Sequence, residues 1–514
     1  MVKKRKKVTL YFPTPFPYFR PWKGVPLASL AISRVLDRQG YEIKIVSRFL
    51  SDDPEKEVLR EVEDSICLGI SAMTGFQIYD GLRISRLVKK NFPKKPVVWG
   101  GWHPSILPEQ TVADNNVDMV VVGQGDRAFP RLVTALENGT SLNKISRLVY
   151  REDNQIVTNS SSPLEDINDL PPLPYHLVDV EKCLFGTEYG KRTLPYISSY
   201  GCPHRCGFCV EQIVNKKRWV AIKAENVVEE WAYLVKKYKV DSIAVYDSNF
   251  FVDKKRVYDI CRGLLGKRIK IKWGNANGRV PQLVRYEPEI WEVMEKSGCS
   301  MILTGAESGS QEALDFIEKD MNVEEIVKFT KLCKKYHIKI LYSFLVGLPW
   351  SKNAAENKKF IDREYNSTLS LIDRVFKISN RNRYTYYIFL PYPGAPLFQR
   401  AVDLGLKIPR TLKGWSTYLM SPEDAFKTSV NQRWITPKQA RLTAMLTQYI
   451  FGLMDQDTYD VLKERVQQGI KRNLFILAYK IGSSLTKLRW RFKFFDFPYD
   501  YWLFTLVHKY GGLV

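Results

Sequence analysis

No uninterrupted apolar run in the 514-residue chain approaches the roughly 20 residues that a membrane-spanning helix needs. Paired cysteines are missing as well. Outside one group of three, Cys67, Cys183, Cys261, Cys299 and Cys333 are scattered singly. That argues against a disulfide framework and against a second cysteine-bound cluster, and it points to a reducing, cytoplasmic setting. The basic start Met1-Val-Lys-Lys-Arg-Lys-Lys7 leads into a short strand, not a long apolar core, so no signal peptide is read. Acidic residues are in deficit, with 55 Asp+Glu against 78 Lys+Arg and a net charge of +23. Such a surplus suits nucleic acid, acidic lipid headgroups or phosphorylated substrates, or it reflects solvated lysine-rich faces. The basic residues are dispersed and no RNA-binding appendage is recognised, so nucleic acid is not the expected partner. An apolar content of 45% is ordinary for buried cores, and the length allows two or three domains.

What is there is organised around Cys202-Pro-His-Arg-Cys-Gly-Phe-Cys209, three cysteines at C-x3-C-x2-C spacing. They follow the apolar segment Leu194–Tyr200, read as a strand, and a helical stretch follows them. The thiols therefore lie at the carboxyl end of a strand, where α/β sheets bind ligands. Three thiolates on one loop can hold three corners of an iron–sulfur cube and leave one iron open. The alternative is a zinc site, with His204 or a distant residue as fourth ligand.

Residues 8 to about 140 alternate strand and helix, which implies a parallel, doubly wound sheet. The predicted strands are Val8–Phe12, Glu42–Val46, Ile66–Ile70, Pro96–Trp99 and Asp118–Val122, with helices at Leu27–Leu36, Ile78–Lys90 and Arg127–Asn138. Three strand ends carry glycine and small polar groups: Ser71-Ala-Met-Thr74-Gly75, Gly100-Gly101-Trp-His103-Pro and Gly123-Gln-Gly125-Asp126. Glycine there lets backbone approach a large ligand. His103 reads equally well as a ligand contact and as a buried histidine satisfying a turn. The stretch Phe12–Gly24 is rich in proline and aromatics and cannot be regular; it lies either over the ligand face or in a packed loop.

Residues 146–193 hold Ser160-Ser-Ser-Pro163 and Leu170-Pro-Pro-Leu-Pro-Tyr175, a composition that marks an extended connection. A βα repeat then restarts. Its strands end in Asp247-Ser-Asn249, Asn275-Ala-Asn277-Gly-Arg279, Gly305-Ala-Glu307-Ser308-Gly309, Gly347-Leu-Pro349 and Tyr392-Pro-Gly394. With the cluster strand this makes six strands, with polar groups at the ends where barrel enzymes place chemistry.

Together these motifs resemble the cobalamin (B12)-binding radical S-adenosylmethionine (SAM) family, the group that includes radical SAM methylases and the anaerobic magnesium-protoporphyrin cyclase. The resemblance covers residues 8 to about 415. It implies a doubly wound cobalamin-binding domain at 1–145, a linker at 146–193, a partial (βα)6 barrel at 194–415 and a helical region at 416–514. It implies a [4Fe-4S] cluster on Cys202, Cys206 and Cys209, with SAM chelating the free iron. For SAM it implies Phe208 near the adenine, Asp247 and Asn249 facing SAM or substrate at the second strand end, Arg279 on the carboxylate, Glu307 on the ribose with Ser308 also in contact with SAM, and Gly347 and Pro349 at the adenine border. For cobalamin it implies Ser71, Thr74, Gly100, Gly101, His103, Gly123 and Gly125. The loop Ser47–Asp53 holds no histidine, so the motif that supplies a lower axial histidine elsewhere is missing, and cobalt would not be His-ligated from it.

The activity so implied is cleavage of SAM to a 5′-deoxyadenosyl radical and cobalamin-dependent methyl transfer to an unactivated carbon. Radical cyclisation, oxidation or rearrangement is the alternative, and a zinc-containing nucleic-acid-binding protein is the reading from another class. The partners expected are a small-molecule or lipid-like substrate and an external electron donor such as flavodoxin or ferredoxin. The last hundred residues mix Lys and Arg with aromatics. They read either as a helical cap packed on the barrel, which is preferred, or as a basic amphipathic helix in peripheral contact with a membrane.

Overall fold

The computed structural model describes residues 6–15, 23–418, 432–454 and 470–510. Most of the proline-rich stretch that follows Phe12 falls outside them, so its placement over a ligand face is not addressed.

A seven-stranded sheet comes first, in the order β2-β1-β3-β4-β5-β6-β7. Its strands are β1 (Lys7–Phe12), β2 (Glu42–Ser47), β3 (Leu68–Ser71), β4 (Val97–Gly100), β5 (Met119–Val121), β6 (Leu148–Glu152) and β7 (Gln155–Thr158). The first five are parallel. Both faces are covered by helices, so the inner strands β3, β4 and β5 are apolar almost throughout. Alternate residues feed two cores: Val8, Leu10 and Val98 on one face, Tyr11, Ile70 and Trp99 on the other. The chain steps from β1 to β2 on one side and then to β3 on the other. This reversal opens a crevice beyond the carboxyl ends of the strands.

Residues 146–193 do more than connect. Strands β6 and β7 form an antiparallel hairpin on the edge of the first sheet. Strand β8 (Phe185–Thr187) and the start of β9 (Gly190–Tyr196) already belong to the second unit.

That second unit is a partial barrel. One side has the order β13-β12-β9-β8, with β12 (Ser242–Val245) and β13 (Lys272–Gly274). The other has β14-β15-β16-β17, made of Ala276–Asn277, Met301–Glu307, Lys339–Val346 and Arg383–Ile388. A parallel bridge between Trp273 and Cys299 joins the two sides. The cluster strand departs from expectation. It breaks after Tyr196, and β10 (Ser199–Gly201) turns away to pair antiparallel with β11 (Trp219–Ala221). The cause is Asp247. Its carboxylate accepts from the Ser198 amide, the Ser198 hydroxyl and the Ser199 hydroxyl, each at 2.6 Å, and takes the Ser198 amide out of the ladder.

The last strand, β17, would leave a bare sheet edge. A continuous helical stretch from Pro437 to Met454 covers it, and Thr447 bonds both the amide and the carbonyl of Tyr386. That segment belongs to the helical C-terminal region that the sequence leads one to expect. The helices Ile470–Phe492 and Tyr499–Tyr510 follow, and no helix among the described residues is long and apolar enough to cross a membrane.

Candidate active site

The three-cysteine loop is held at its base and along its length. Gly201 ends β10 with φ at +86°, and a Cβ there would stand 2.0 Å from the Arg218 carbonyl oxygen. Only glycine lets the β10–β11 pair close so tightly. Within the loop, the Gly207 amide donates to the Ile317 carbonyl at 2.8 Å, and the Gly207 carbonyl accepts from the Leu397 amide at 3.0 Å. Gln212 Nε2 donates to the Cys206 carbonyl at 2.8 Å. The backbone is thereby fixed while the three thiols remain unbridged. Burial pushes the Cys202 thiol up and the Cys209 thiol to about 12, so a metal must displace their protons.

Among the described residues, no three His, Cys, Asp or Glu side chains converge on a point as a tetrahedral zinc site requires. A cubane cluster needs no such convergence, because each thiolate binds a different iron. Three thiols on one pinned loop fit that group.

Cations gather beside the loop. Arg279 stands near Cys202 and Lys319 near Cys206. Lys319 Nζ lies 2.7 Å from Glu307 Oε1 and 5.7 Å above the Phe208 ring. Arg279 donates to the Lys319 carbonyl and keeps a buried Nε without a partner. Glu307 holds φ at +60° at the end of β15, a left-handed backbone that turns its carboxylate onto Lys319. Lys319 was absent from the sequence expectation. Nothing marks it among 78 basic residues.

The remaining residues expected to contact SAM are all buried. Asp247 is occupied by Ser198 and Ser199, as described. Asn249 Nδ2 donates to Gln282 at 2.9 Å, and its Oδ1 accepts from the Phe251 amide at 3.2 Å. Ser308 Oγ lies 3.4 Å from Thr368 Oγ1 and accepts from the Ser310 amide at 3.2 Å. Gly347 and Pro349 lie beneath the C-terminal segment, where Trp434 Nε1 donates to the Gly347 carbonyl at 2.8 Å. Behind Ser308 sits Glu364, whose fully buried carboxyl has no well-aligned hydrogen bond on either oxygen.

A cavity of about 490 Å³ opens between the first sheet and this loop. From the first sheet it takes Ser71, Gly100, Gly101, Gly123 and Gly125; from the barrel it takes Tyr200, Gly201, Glu211, Tyr246 and Ser248. The glycines shape it. Gly101 holds φ at +95°, and a Cβ on it would stand 2.8 Å from Ser71 Oγ. The lining fits a large, flat ligand laid against bare backbone.

Two expected contacts lie off this cavity. His103 Nδ1 and Thr74 Oγ1 are 3.0 Å apart, and the His103 ring packs 5.5 Å from Trp415. Burial pushes the imidazole down to about 4, so it is neutral. Its Nε2 is buried and has no hydrogen-bond partner among the described residues. Glu211, Met73 and Tyr246 are among the cavity residues that were missed. Glu211, two positions after Cys209, accepts from Asn215 Nδ2 at 2.8 Å, and its closeness to the cysteines was a legible signal. Met73 and Tyr246 face the cavity half-exposed from opposite sides, and only the folded chain brings them together.

Comparison with known proteins points the same way. The radical SAM superfamily profile matches residues 196–357, and the B12-binding domain profile matches residues 22–133. An uncharacterised methyltransferase of Pyrococcus horikoshii is 27% identical over 77% of this chain and 82% of its own length. The anaerobic magnesium-protoporphyrin IX monomethyl ester cyclase of Rubrivivax gelatinosus is 25% identical over 69% of this chain and 61% of its own. The cobalamin-dependent SAM radical enzyme OxsB, solved with aqua-cobalamin, shares the fold at a TM-score of 0.69 and 18% identity, over 94% of this chain and 72% of that one.

Proposed function

The chain belongs to the cobalamin-binding radical SAM family, and on that premise we propose that it methylates an unactivated carbon of a small-molecule or lipid-like substrate held between its two sheets. One observation carries this reading. A single cavity is lined both by the glycine strand ends of the first sheet and by the residues flanking the three-cysteine loop. A reaction that needs two cofactors on one carbon needs that arrangement. When bound, the cluster and SAM supply a 5′-deoxyadenosyl radical, and cobalamin supplies the methyl group.

The chain's own residues bind and orient. Cys202, Cys206 and Cys209 would hold the cluster. Arg279, with its buried Nε unpartnered among the described residues, pairs with the SAM carboxylate, for which guanidinium geometry is suited. The free oxygen of Glu307 remains for ribose hydroxyls while Lys319 fixes the other. Asp247 acts through Ser198 and Ser199 and so positions the loop. Ser71, Gly100, Gly101, Gly123 and Gly125 form the bed for the corrin. Met73 and Tyr246 then border the substrate space. A reductant such as flavodoxin or ferredoxin completes the requirements.

The test is anaerobic purification with cobalamin supplied, followed by iron, zinc, sulfide and cobalt analysis and assay of SAM cleavage. About four irons and one cobalt per chain, 5′-deoxyadenosine under reductant, and a product heavier by one methyl group are expected. A reduced, cofactor-replete protein that never cleaves SAM would overturn the reading. The relative named as a cyclase supports a second reading, radical cyclisation without methyl transfer, which an unmethylated product would select. Zinc without iron would favour the nucleic-acid-binding alternative.

A further inference from the structure

We propose that the outer face of the helix Ile470–Phe492, with the aromatic turn after it, docks on an anionic lipid bilayer surface. The proposal rests on surface chemistry alone and stands apart from the methyl-transfer reading.

The helix has two apolar faces where a surface helix has one. The inner face carries Tyr479, Thr486 and Trp490, all buried against the barrel. Trp490 Nε1 donates to Asp373 at 2.6 Å, and the Trp490 ring packs on Phe451. The outer face carries Leu477, Ile481, Leu485, Leu488 and Phe492, which are 40% to 70% exposed. Their spacing of four, four, three and four residues sets them in one stripe, about half a turn round from Trp490. Phe494, Phe497, Tyr499, Trp502 and Leu503 follow it in the chain and are also exposed, the first four in one run of ring contacts. Ten of the eighteen exposed large hydrophobic side chains among the described residues therefore lie between Leu477 and Leu503. Concentration of this kind marks an interaction surface rather than scattered exposure.

Charge selects the occupant. Lys480, Lys487 and Arg491 run along one flank of the stripe, exposed and in no ion pair among the described residues. The nearby acids are spent elsewhere, Asp496 on Lys438 at 2.8 Å and Asp500 on Arg489 at 2.6 Å. The patch thus offers apolar surface beside unneutralised cations, with Phe, Tyr and Trp at the margin where headgroups meet acyl chains. Anionic headgroups complement it. A second copy of this chain does not, because it would bring a further +23 and the same cationic flank. The helix is too charged to cross a bilayer, so it lies in the interface plane.

The test is flotation of the full chain with vesicles of phosphatidylcholine, with and without phosphatidylglycerol. Strong binding to the anionic vesicles, weakened by high salt, is expected. The triple variant Ile481→Glu, Leu488→Glu, Phe492→Glu should lower binding at least about ten-fold. The triple variant Lys480→Gln, Lys487→Gln, Arg491→Gln should lower binding to anionic vesicles by about a hundred-fold and leave neutral ones little changed. Circular dichroism and iron content should match the parent, because none of these side chains is buried. Absent vesicle binding, or binding undiminished in both variants, would overturn the proposal. A stable dimer that the glutamate variant dissociates would overturn it too, and would assign the face to a second copy.

Discussion

Glu364 carries the sharpest pH prediction. Its carboxyl is 1% exposed, and burial pushes it from an ordinary 4.5 to about 8. The neutral form is the folded one. Its contribution to stability is complete below the ordinary carboxylate value and is lost as pH rises through the window from 4.5 to about 8, a few kcal/mol in all. Glu364→Gln keeps the shape and removes the ionisation. Thermal denaturation should therefore give the variant and the parent similar midpoints near pH ~5 and a higher midpoint for the variant near pH ~9. A gap that does not widen with pH would show that the carboxyl stays solvated. Lys319 and Glu307 make the converse case, a buried pair at 2.7 Å. Lys319→Met should destabilise by about 3 kcal/mol, because it leaves a carboxylate buried alone. The double variant Lys319→Met, Glu307→Met should recover most of that, measured by denaturation without SAM. Neither role was legible beforehand. A glutamate on a long helix and one lysine among 78 basic residues carry no local signal, since their burial is set by strands and helices distant in sequence.

At the scale of elements, the strands were legible because parallel strands covered on both faces must be apolar, and Leu68–Ser71 and Val97–Gly100 read that way. The glycine strand ends were legible for the same reason in reverse. What escaped had weaker signals. The β6–β7 hairpin turns at Asp153 and Asn154, both at positive φ, a two-residue turn of the hairpin type that was hidden beside a serine- and proline-rich stretch. The helix Pro54–Glu63 was announced by Asp53, whose side chain accepts from the Lys56 amide, and by Pro54 in the first turn. The break of the cluster strand at Ser198 could not be read, because its cause, Asp247, lies 49 residues away. That break makes a prediction about Gly201. It shares a left-handed φ near +80° with Gly40, but a Cβ meets nothing within 4 Å at Gly40 and meets backbone at 2.0 Å at Gly201. Gly40→Ala should cost about 1 kcal/mol. Gly201→Ala should cost well beyond that and lower the iron bound per chain. Equal losses in denaturation and in iron content would refute the claim that the β10–β11 closure sets the loop.

At the scale of the whole molecule, two sheets meet at one cavity, and Val25, Leu30 and Ala31 beside the first sheet pack into the core of the barrel. Polar contacts between them include Tyr200 Oη donating to Asp126 at 3.4 Å and Trp415 Nε1 donating to Gln110 at 2.5 Å, with the Trp415 ring inserted into the core of the first sheet. The proposed bed for a corrin lies at the ends of β3, β4 and β5, whose ladder involves no residue of the cysteine loop. The two cofactor sites should therefore load independently. The variant Cys202→Ala, Cys206→Ala, Cys209→Ala should lose its iron and its SAM cleavage yet bind about one cobalamin per chain. Gly101→Leu should do the reverse. A Cβ at that position would stand 2.8 Å from Ser71 Oγ, and its φ of +95° resists any side chain, so the corrin bed is disturbed while the loop 100 residues downstream is not. Iron and cobalt measured together on each variant decide the matter. Loss of both metals in either one would mean that the cavity, rather than each sheet, is the unit that folds around its cofactors. Loss of one metal at a time would mean that each sheet prepares its own half of the reaction and that only the substrate requires both.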